Sequence, residues 1–221
     1  MKRLMVILAV LLCSLLAAGV TTASPLTDYS AGKIALDVNW TPSADLEFAG
    51  AKLDGKNSNF DFGITAGLGN KWAIQYRYAN PVTKDYAYHF HYSGDCYYGT
   101  GHAGIRSQEV NVLYQFDKNL SGFVGWHQAK ITSSVIDGDT KNTWQVGLIG
   151  TTEIAKKTTL YGIVGAGSSL LSAEAGVAYA FTKDLDLNLF YRYKRMDDLK
   201  IVGHGVDTTV KGFGLGVTYR F

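Results

Sequence analysis

The sequence predicts an all-β chain, a closed antiparallel up-and-down transmembrane β-barrel of about ten strands. Three observations lead there. Short segments along nearly the whole chain alternate apolar and polar residues with period two, the mark of strands whose two faces meet different surroundings. Their connections run short, then long, then short, with only the connection 167–170 breaking the alternation. Aromatic residues on the apolar face gather at the ends of the strands rather than at their middles.

Composition narrows the field first. The 221 residues are 47% hydrophobic and 18% charged, against about 25% charged for a typical soluble domain. So apolar a chain is not disordered, and its 2 cysteines cannot build a disulfide scaffold. A net charge of +2 offers no electrostatic footprint for nucleic acid.

The first element is an export signal. Lys2 and Arg3 precede the charge-free run 4–20, and Thr21 and Ala23 supply the small residues of a cleavage site. Residues 1–23 are thus expected to be a cleaved secretory signal peptide. An uncleaved anchor is the alternative, since a run of that length just spans a bilayer. A lipoprotein signal is not expected, because Leu12 precedes Cys13. Cleavage leaves 24–30 as a short periplasmic N-terminal segment, 31–221 as the barrel, and Cys96 as a lone thiol.

The strands follow in order. Segment 31–40 sets Ile34, Leu36, Val38 and Trp40 against Lys33, Ala35, Asp37 and Asn39. Segment 59–68 sets Phe60, Phe62 and Ile64 against Asp61, Gly63 and Thr65, and 72–79 sets Trp72, Ile74 and Tyr76 against Ala73, Gln75 and Arg77. In 106–116, Val110 and Val112 oppose Glu109 and Asn111; 120–131 is less regular around Gly122 and Gly125. Segment 143–154 alternates Trp144, Val146 and Leu148 with Gln145, Gly147 and Glu153, and 159–167 is glycine-rich without readable faces. The last three are 171–181 (Glu174 among its polar residues), 185–194 (Asp186, Asn188, Arg192 and Lys194) and 209–221 (Thr218 and Arg220). Ten strands result, with eight or twelve as alternatives. All 3 prolines lie outside them, as a closed sheet requires.

The connections 69–71, 117–119, 155–158 and 182–184 are short; 41–58, 80–105, 132–142 and 195–208 are long. That is the arrangement of a transmembrane barrel, with short periplasmic turns and longer loops outside. On the apolar face, Trp72, Tyr114, Phe116, Tyr179, Phe181, Tyr219 and Phe221 stand beside the short turns. Trp40, Phe60, Tyr78, Trp126, Trp144, Tyr191 and Tyr193 stand beside the long loops. Two rows of rings fit the two membrane–water interfaces.

The opposite face is assigned to the lumen. It carries Lys33, Asp37, Asp61, Arg77, Glu109, Glu153, Glu174, Asp186, Arg192, Lys194 and Arg220, six acids and five bases. In a dry core so many charges would be desolvated, whereas in a lumen they pair with one another or meet water. Ten strands stand near the filled end of barrel sizes. Two lumen readings stay open: an ion-pair network that holds the barrel shut, and a narrow polar pathway for ions or small solutes.

The ending Val217-Thr218-Tyr219-Arg220-Phe221 resembles the C-terminal signature of bacterial outer-membrane β-barrels. Over 31–221 the pattern is similar to the small OmpA-like, OmpX-like and opacity-type barrels of the porin family. The resemblance implies an outer-membrane location and outer-membrane lipid as surroundings. It also implies an assembly signal, with Tyr219 and Phe221 read by the barrel-assembly machinery, and a structural or weakly conducting role. The small members have eight strands, two fewer than the count here.

Loop 81–104 holds Tyr86, Tyr88, His89, His91, Tyr92, Tyr97, Tyr98 and His102. Rings of this kind supply contact area at low entropy cost, so an adhesion or receptor role toward an extracellular protein or glycan is the alternative function. The His, Asp95 and Cys96 spacing matches no established metal site, and no metal or cofactor is expected. A third reading, a lipid hydrolase, rests on His127 with Ser133, Ser134 and Asp137. Their order matches no catalytic signature, so the expectation is a monomeric non-enzyme with no nucleic-acid partner.

Overall fold

The computed structural model describes residues 25–42, 44–56, 59–92, 95–134 and 137–221. Residues 1–23, expected to be a signal peptide, lie outside the described residues. Fourteen strands are formed among them. They are β1 (Ile34–Trp40), β2 (Asp45–Phe48), β3 (Ala51–Asp54), β4 (Phe60–Gly69), β5 (Trp72–Ala79), β6 (Tyr86–Tyr92) and β7 (Asp95–Gly101). There follow β8 (Ala103–Asp117), β9 (Leu120–Ser133), β10 (Lys141–Ala155), β11 (Thr158–Gly167), β12 (Leu170–Ala180), β13 (Leu185–Ile201) and β14 (His204–Arg220).

Ten of these close a barrel in the order β1-β4-β5-β8-β9-β10-β11-β12-β13-β14, and β14 returns to β1. Every pairing is antiparallel, and the closing register sets Ala35 opposite Arg220 and Trp40 opposite Leu215. Among the described residues no helix is long and apolar enough to cross a membrane, so the crossing falls to strands. Tight turns join them: Asn70 and Lys71 both take positive φ between β4 and β5, as do Val202 and Gly203 between β13 and β14. That pair of angles matches the right-handed twist of the flanking strands.

The outer wall is apolar. Val38, Phe62, Val124, Val146, Leu189 and Leu215 all project from the barrel, Val146 being 60% exposed. Rings lie above and below this band: Trp40, Phe60, Trp144 and Phe213 toward the long connections, and Trp72, Phe116, Phe181 and Phe221 toward the short ones. Neighbouring strands stack some of them, as at Trp40–Phe60 with centroids 6.5 Å apart and Trp72–Tyr114 at 4.8 Å.

The long connections are not loops over most of their length. Strands β13 and β14, at 17 residues each, exceed the 9–11 or so needed to span a bilayer. Their outer ends build a second tier. Hairpin β2–β3 pairs with β14, Phe48 opposite Thr208. Its far edge meets segment 82–84, where Lys56 N–H donates to Val82 O at 2.7 Å, and that segment meets β8 through Thr83 N–H to Ala103 O at 2.8 Å. On the other side, Gly138 N–H reaches Ile131 O of β9 at 2.9 Å and Asp139 N–H reaches Lys200 O of β13 at 2.8 Å. Inside this tier Ile105, Ala129, Ile131, Leu170, Met196 and Leu199 form a buried apolar cluster, joined by Phe48, Ile201, Val206 and Val210. A register shift in β13 between Met196 and Leu199 makes this possible. Asp198 takes φ +55° there, so Leu199 faces inward where strict alternation would have placed Asp198.

The N-terminal segment also departs from expectation. Rather than staying in the periplasm, 25–30 folds up into the periplasmic mouth, with Leu26 and Tyr29 buried against Ala35, Ala73, Leu113 and Ile149. Gln115 Nε2 donates to Thr27 O at 2.6 Å and Gly69 N–H to Tyr29 O at 2.9 Å. Gly67 is required beneath it, because a Cβ there would meet the backbone of Tyr29 and Ser30.

The lipid-facing wall gives the first prediction. Val146→Arg places a charge on the middle of the apolar band and should cost about 2–4 kcal/mol of folding free energy, measured by urea titration in lipid vesicles. A cost below roughly 1 kcal/mol, the value near an interface, would mean that β10 does not face lipid at this level.

Candidate functional site: the charged lumen

Between the two apolar layers lies a polar one. Odd-numbered residues of β1, β4, β5, β8, β9, β10 and β11 turn inward, and even-numbered residues of β12, β13 and β14 do the same, because the Cβ direction alternates along a strand. This periodicity brings six charged residues from five different strands into one layer. Arg192 of β13 is its centre. Arg192 Nη1 donates to Asp61 Oδ2 at 2.8 Å and Nε to Glu174 Oε2 at 2.7 Å. Its guanidinium carbon sits 4.8 Å from the ring centroid of Phe190. Arg77 Nη2 reaches the same Glu174 oxygen at 3.2 Å, and Tyr161 OH donates to Oε1 at 3.3 Å. Lys194 pairs with Glu109.

Amides complete the layer. Asn39 Nδ2 donates to Asp61 Oδ1 at 2.7 Å. Gln145 Nε2 reaches Glu109 Oε2 at 3.3 Å and Asn111 Oδ1 at 2.8 Å, and Asn111 Nδ2 reaches Gln75 Oε1 at 3.2 Å. Three acids and three bases balance here, with side-chain exposures of 9–25%. Such pairs are held by mutual attraction and by further hydrogen bonds that satisfy the remaining lone pairs.

A second, smaller group lies toward the periplasm. Arg220 pairs with Asp186, Thr218 Oγ1 donates to Asp37 Oδ1 at 2.6 Å, and Asn188 Nδ2 donates to Thr218 Oγ1 at 2.9 Å. Nine of the eleven residues assigned to the lumen by alternation thus occupy these two groups. Two stand apart. Lys33 is exposed in the turn before β1, on the rim rather than in the lumen, because the strand begins only at Ile34. Glu153 lies opposite Thr159 near the turn between β10 and β11.

Glycines make room for the large inward side chains. A Cβ on Gly147 would overlap the ring of Phe123, and one on Gly214 the ring of Phe190. The sequence signal for Phe123 was weak, because β9 breaks its apolar alternation there. His127, on which the hydrolase reading rests, points into the lumen opposite Glu109, at 2% exposure. Ser133 lies six residues further along β9, about 20 Å away at the usual strand rise, and its N–H donates to Asp137 at 3.3 Å. His127 and Ser133 therefore do not form a nucleophile–base pair.

Two small cavities lie within this layer. One cavity of about 50 Å³ lies between Asp61, Ile105, Arg192, Lys194 and Met196. Another of about 30 Å³ lies between Arg77, Glu109, Phe123, Glu174 and Lys194. Each holds no more than a few water molecules.

The surface residues of 81–104 form a separate hairpin, β6–β7. Its register sets His89 opposite Tyr98 and His91 opposite Cys96. Tyr98 is 73% exposed, Cys96 is exposed, and His102 Nδ1 stands 3.3 Å from Asp85. The side chains of Tyr88, His89, His91, Tyr92 and Tyr97 lie outside the described residues.

A closed sheet with an apolar belt, two rows of rings and a charged interior defines a transmembrane β-barrel of the outer-membrane type. The chain belongs to the outer membrane protein beta-barrel domain family, whose pattern it matches over residues 13–221. No curated protein sequence matches it. Among solved structures it is similar to the outer membrane protease OmpT of Escherichia coli, at 12% identity and a TM-score of 0.56, covering 93% of this chain and 100% of that one. It is also similar to the attachment invasion locus protein Ail of Yersinia pestis, solved with the heparin analogue sucrose octasulfate, at 16% identity and a TM-score of 0.40 over 86% of this chain and 99% of that one. The outer membrane protein OprG of Pseudomonas aeruginosa aligns at 13% identity and a TM-score of 0.38, covering 89% and 99%. At 12% identity the property shared with OmpT is the fold.

The network makes a quantitative prediction. Glu174→Gln leaves Arg192 and Arg77 without their shared carboxylate and should cost about 3–5 kcal/mol, read from urea midpoints in vesicles. Lys194→Met and Glu109→Gln should be non-additive, the double variant recovering about 0.5–3 kcal/mol of the summed single losses. Additive costs would mean that the pair is not coupled.

Proposed function

We propose that this outer-membrane barrel is a structural, closed protein whose lumen does not conduct ions or solutes and performs no catalysis. One observation carries the reading: the lumen is packed at three successive levels. Tyr29 and Leu26 fill the periplasmic mouth, the Arg192 network crosses the middle, and the apolar cluster around Met196 fills the outer tier. An ion would have to dehydrate against apolar side chains at both ends, which is costly without compensating ligands. Barrels with water-filled channels have many more strands.

A second reading is favoured by hairpin β6–β7. It forms its own two-stranded sheet beyond the barrel and presents Tyr98 to solvent. In this reading the closed barrel is a platform, and the hairpin contacts an extracellular protein or glycan.

Single-channel recording separates these from a porin role. Refolded protein, shown to be folded by its heat-dependent gel mobility, should give no stable conductance steps in planar bilayers. Reproducible steps of one size would overturn the closed-barrel reading. Deletion of 86–101 should leave that silence and the gel shift unchanged, and any glycan binding of the intact protein should disappear with it.

A further inference from the structure

We infer that the periplasmic rim is a collar for anionic phospholipid headgroups, built from a lysine at each of the barrel's five periplasmic corners. Lys33 stands at the seam of β1 and β14, Lys71 in the β4–β5 turn, and Lys118 in the β8–β9 turn. Lys156 and Lys157 form the β10–β11 turn, and Lys183 lies in the β12–β13 connection. All six are exposed. This arrangement is independent of whether the lumen conducts.

The two ends of the barrel treat their charges differently. In the outer tier seven cations are in ion pairs, among them Lys130–Asp137 at 2.8 Å, Lys52–Asp45 at 2.9 Å and Lys211–Glu47 at 2.5 Å. At the periplasmic end Lys183 pairs with its neighbour Asp184, at 3.8 Å, and Arg220 pairs with Asp186 inside the lumen. The other two aspartates of that rim cap turns instead. Asp117 Oδ1 accepts the N–H groups of Asn119 and Leu120 at 2.7 and 2.9 Å. Asp28 Oδ1 accepts the hydroxyl and the N–H of Ser30 at 2.6 and 3.0 Å. Those bonds, the hydroxyl's above all, hold the Asp28 carboxyl below its ordinary range. Six lysines against three aspartates and Glu153 leave the rim cationic.

Position selects lipid over a folded partner. At every corner a lysine is tied to a ring that marks the interface. Lys71 directly precedes Trp72, and Lys118 and Lys183 each follow a lipid-facing phenylalanine, Phe116 or Phe181, by two residues. Lys157 O accepts the N–H of Ala180, next to Tyr179, and Ile34 O, beside Lys33, accepts the N–H of Phe221. Lysine stems lie along apolar surface and carry their ammonium groups to the level of the phosphates. A basic residue beside an anionic leaflet is drawn to it within a Debye length. Cations spread over the whole circumference match an annulus of lipid; a docked protein would ask for one patch.

The tryptophans supply local probes, because Trp72 marks the periplasmic row while Trp40, Trp126 and Trp144 mark the outer one. A protein keeping Trp72 alone, the others replaced by Phe, is placed in phosphatidylcholine vesicles containing a fixed fraction of brominated phosphatidylglycerol or brominated phosphatidylcholine. Quenching by the brominated phosphatidylglycerol should be stronger by roughly twofold or more, and should fall toward equality as salt rises. Replacing the six lysines with Gln should abolish the preference in protein that still shows the folded gel band. With Trp72→Phe, the outer tryptophans should show no preference. Equal quenching of Trp72 by both lipids in low salt overturns the collar, whether or not the Gln variant folds. A preference that survives the Gln substitutions also overturns it. So does retention on purified peptidoglycan that the substitutions remove while Trp72 reports no lipid preference.

Discussion

A bilayer offers backbone N–H and C=O groups no partner, so a sheet that crosses it must leave no edge. In this chain the requirement is met at a single seam, where β14 returns to β1 through six register pairs from Ala35–Arg220 to Trp40–Leu215. The rest is arranged around that closure. Ten strands close on a lumen too narrow for bulk water and too wide to be filled by backbone, so side chains fill it. The inward positions alternate between large residues and glycine, Phe123 against Gly147 and Phe190 against Gly214.

What fills the middle of the lumen is charge, and charge there is tolerated only in combination. Arg192 is shared between Asp61 and Glu174, and Glu174 between Arg192 and Arg77. The network ties the β4–β5 pair to the β12–β13 pair across the barrel, where no backbone ladder connects one pair to the other. This lends the cross-section stiffness that a sheet closed only at its wall would lack. The apolar layers above and below keep bulk water from the ion pairs and strengthen their attraction in turn.

The outer tier extends the same logic beyond the membrane. Chain above the lipid could have solvated its backbone in water, yet it continues the ladders of β8, β9, β13 and β14 and borrows β2, β3 and segments 82–84 and 138–139 to keep the wall nearly continuous. Its interior is a small soluble-type core, and seven of its exterior cations sit in ion pairs. The periplasmic end is built the other way, from turns of a few residues that carry exposed lysines. The molecule is thus as asymmetric as the membrane it crosses.

By itself the sequence determined the wall. Alternation in β1, β4, β5 and β13 places Ile34, Phe62, Ile74 and Leu189 toward lipid because a strand repeats every two residues, and that local rule needs no tertiary information. The same rule placed nine of the lumen charges. Only the tertiary structure decided which of them meet: Arg192 and Asp61 are 131 residues apart in sequence, and their contact depends on closure and on the size of the barrel. It also decided where the rule stops. Lys33 falls one residue short of β1, and the register shift after Met196 turns Leu199 inward. His127 faces Glu109 because β9 keeps its parity through glycines that erase the apolar signal. The long connections looked like loops because their pairing partners are distant in sequence, and the burial of Leu26 and Tyr29 depends on a mouth that exists only once the barrel has closed.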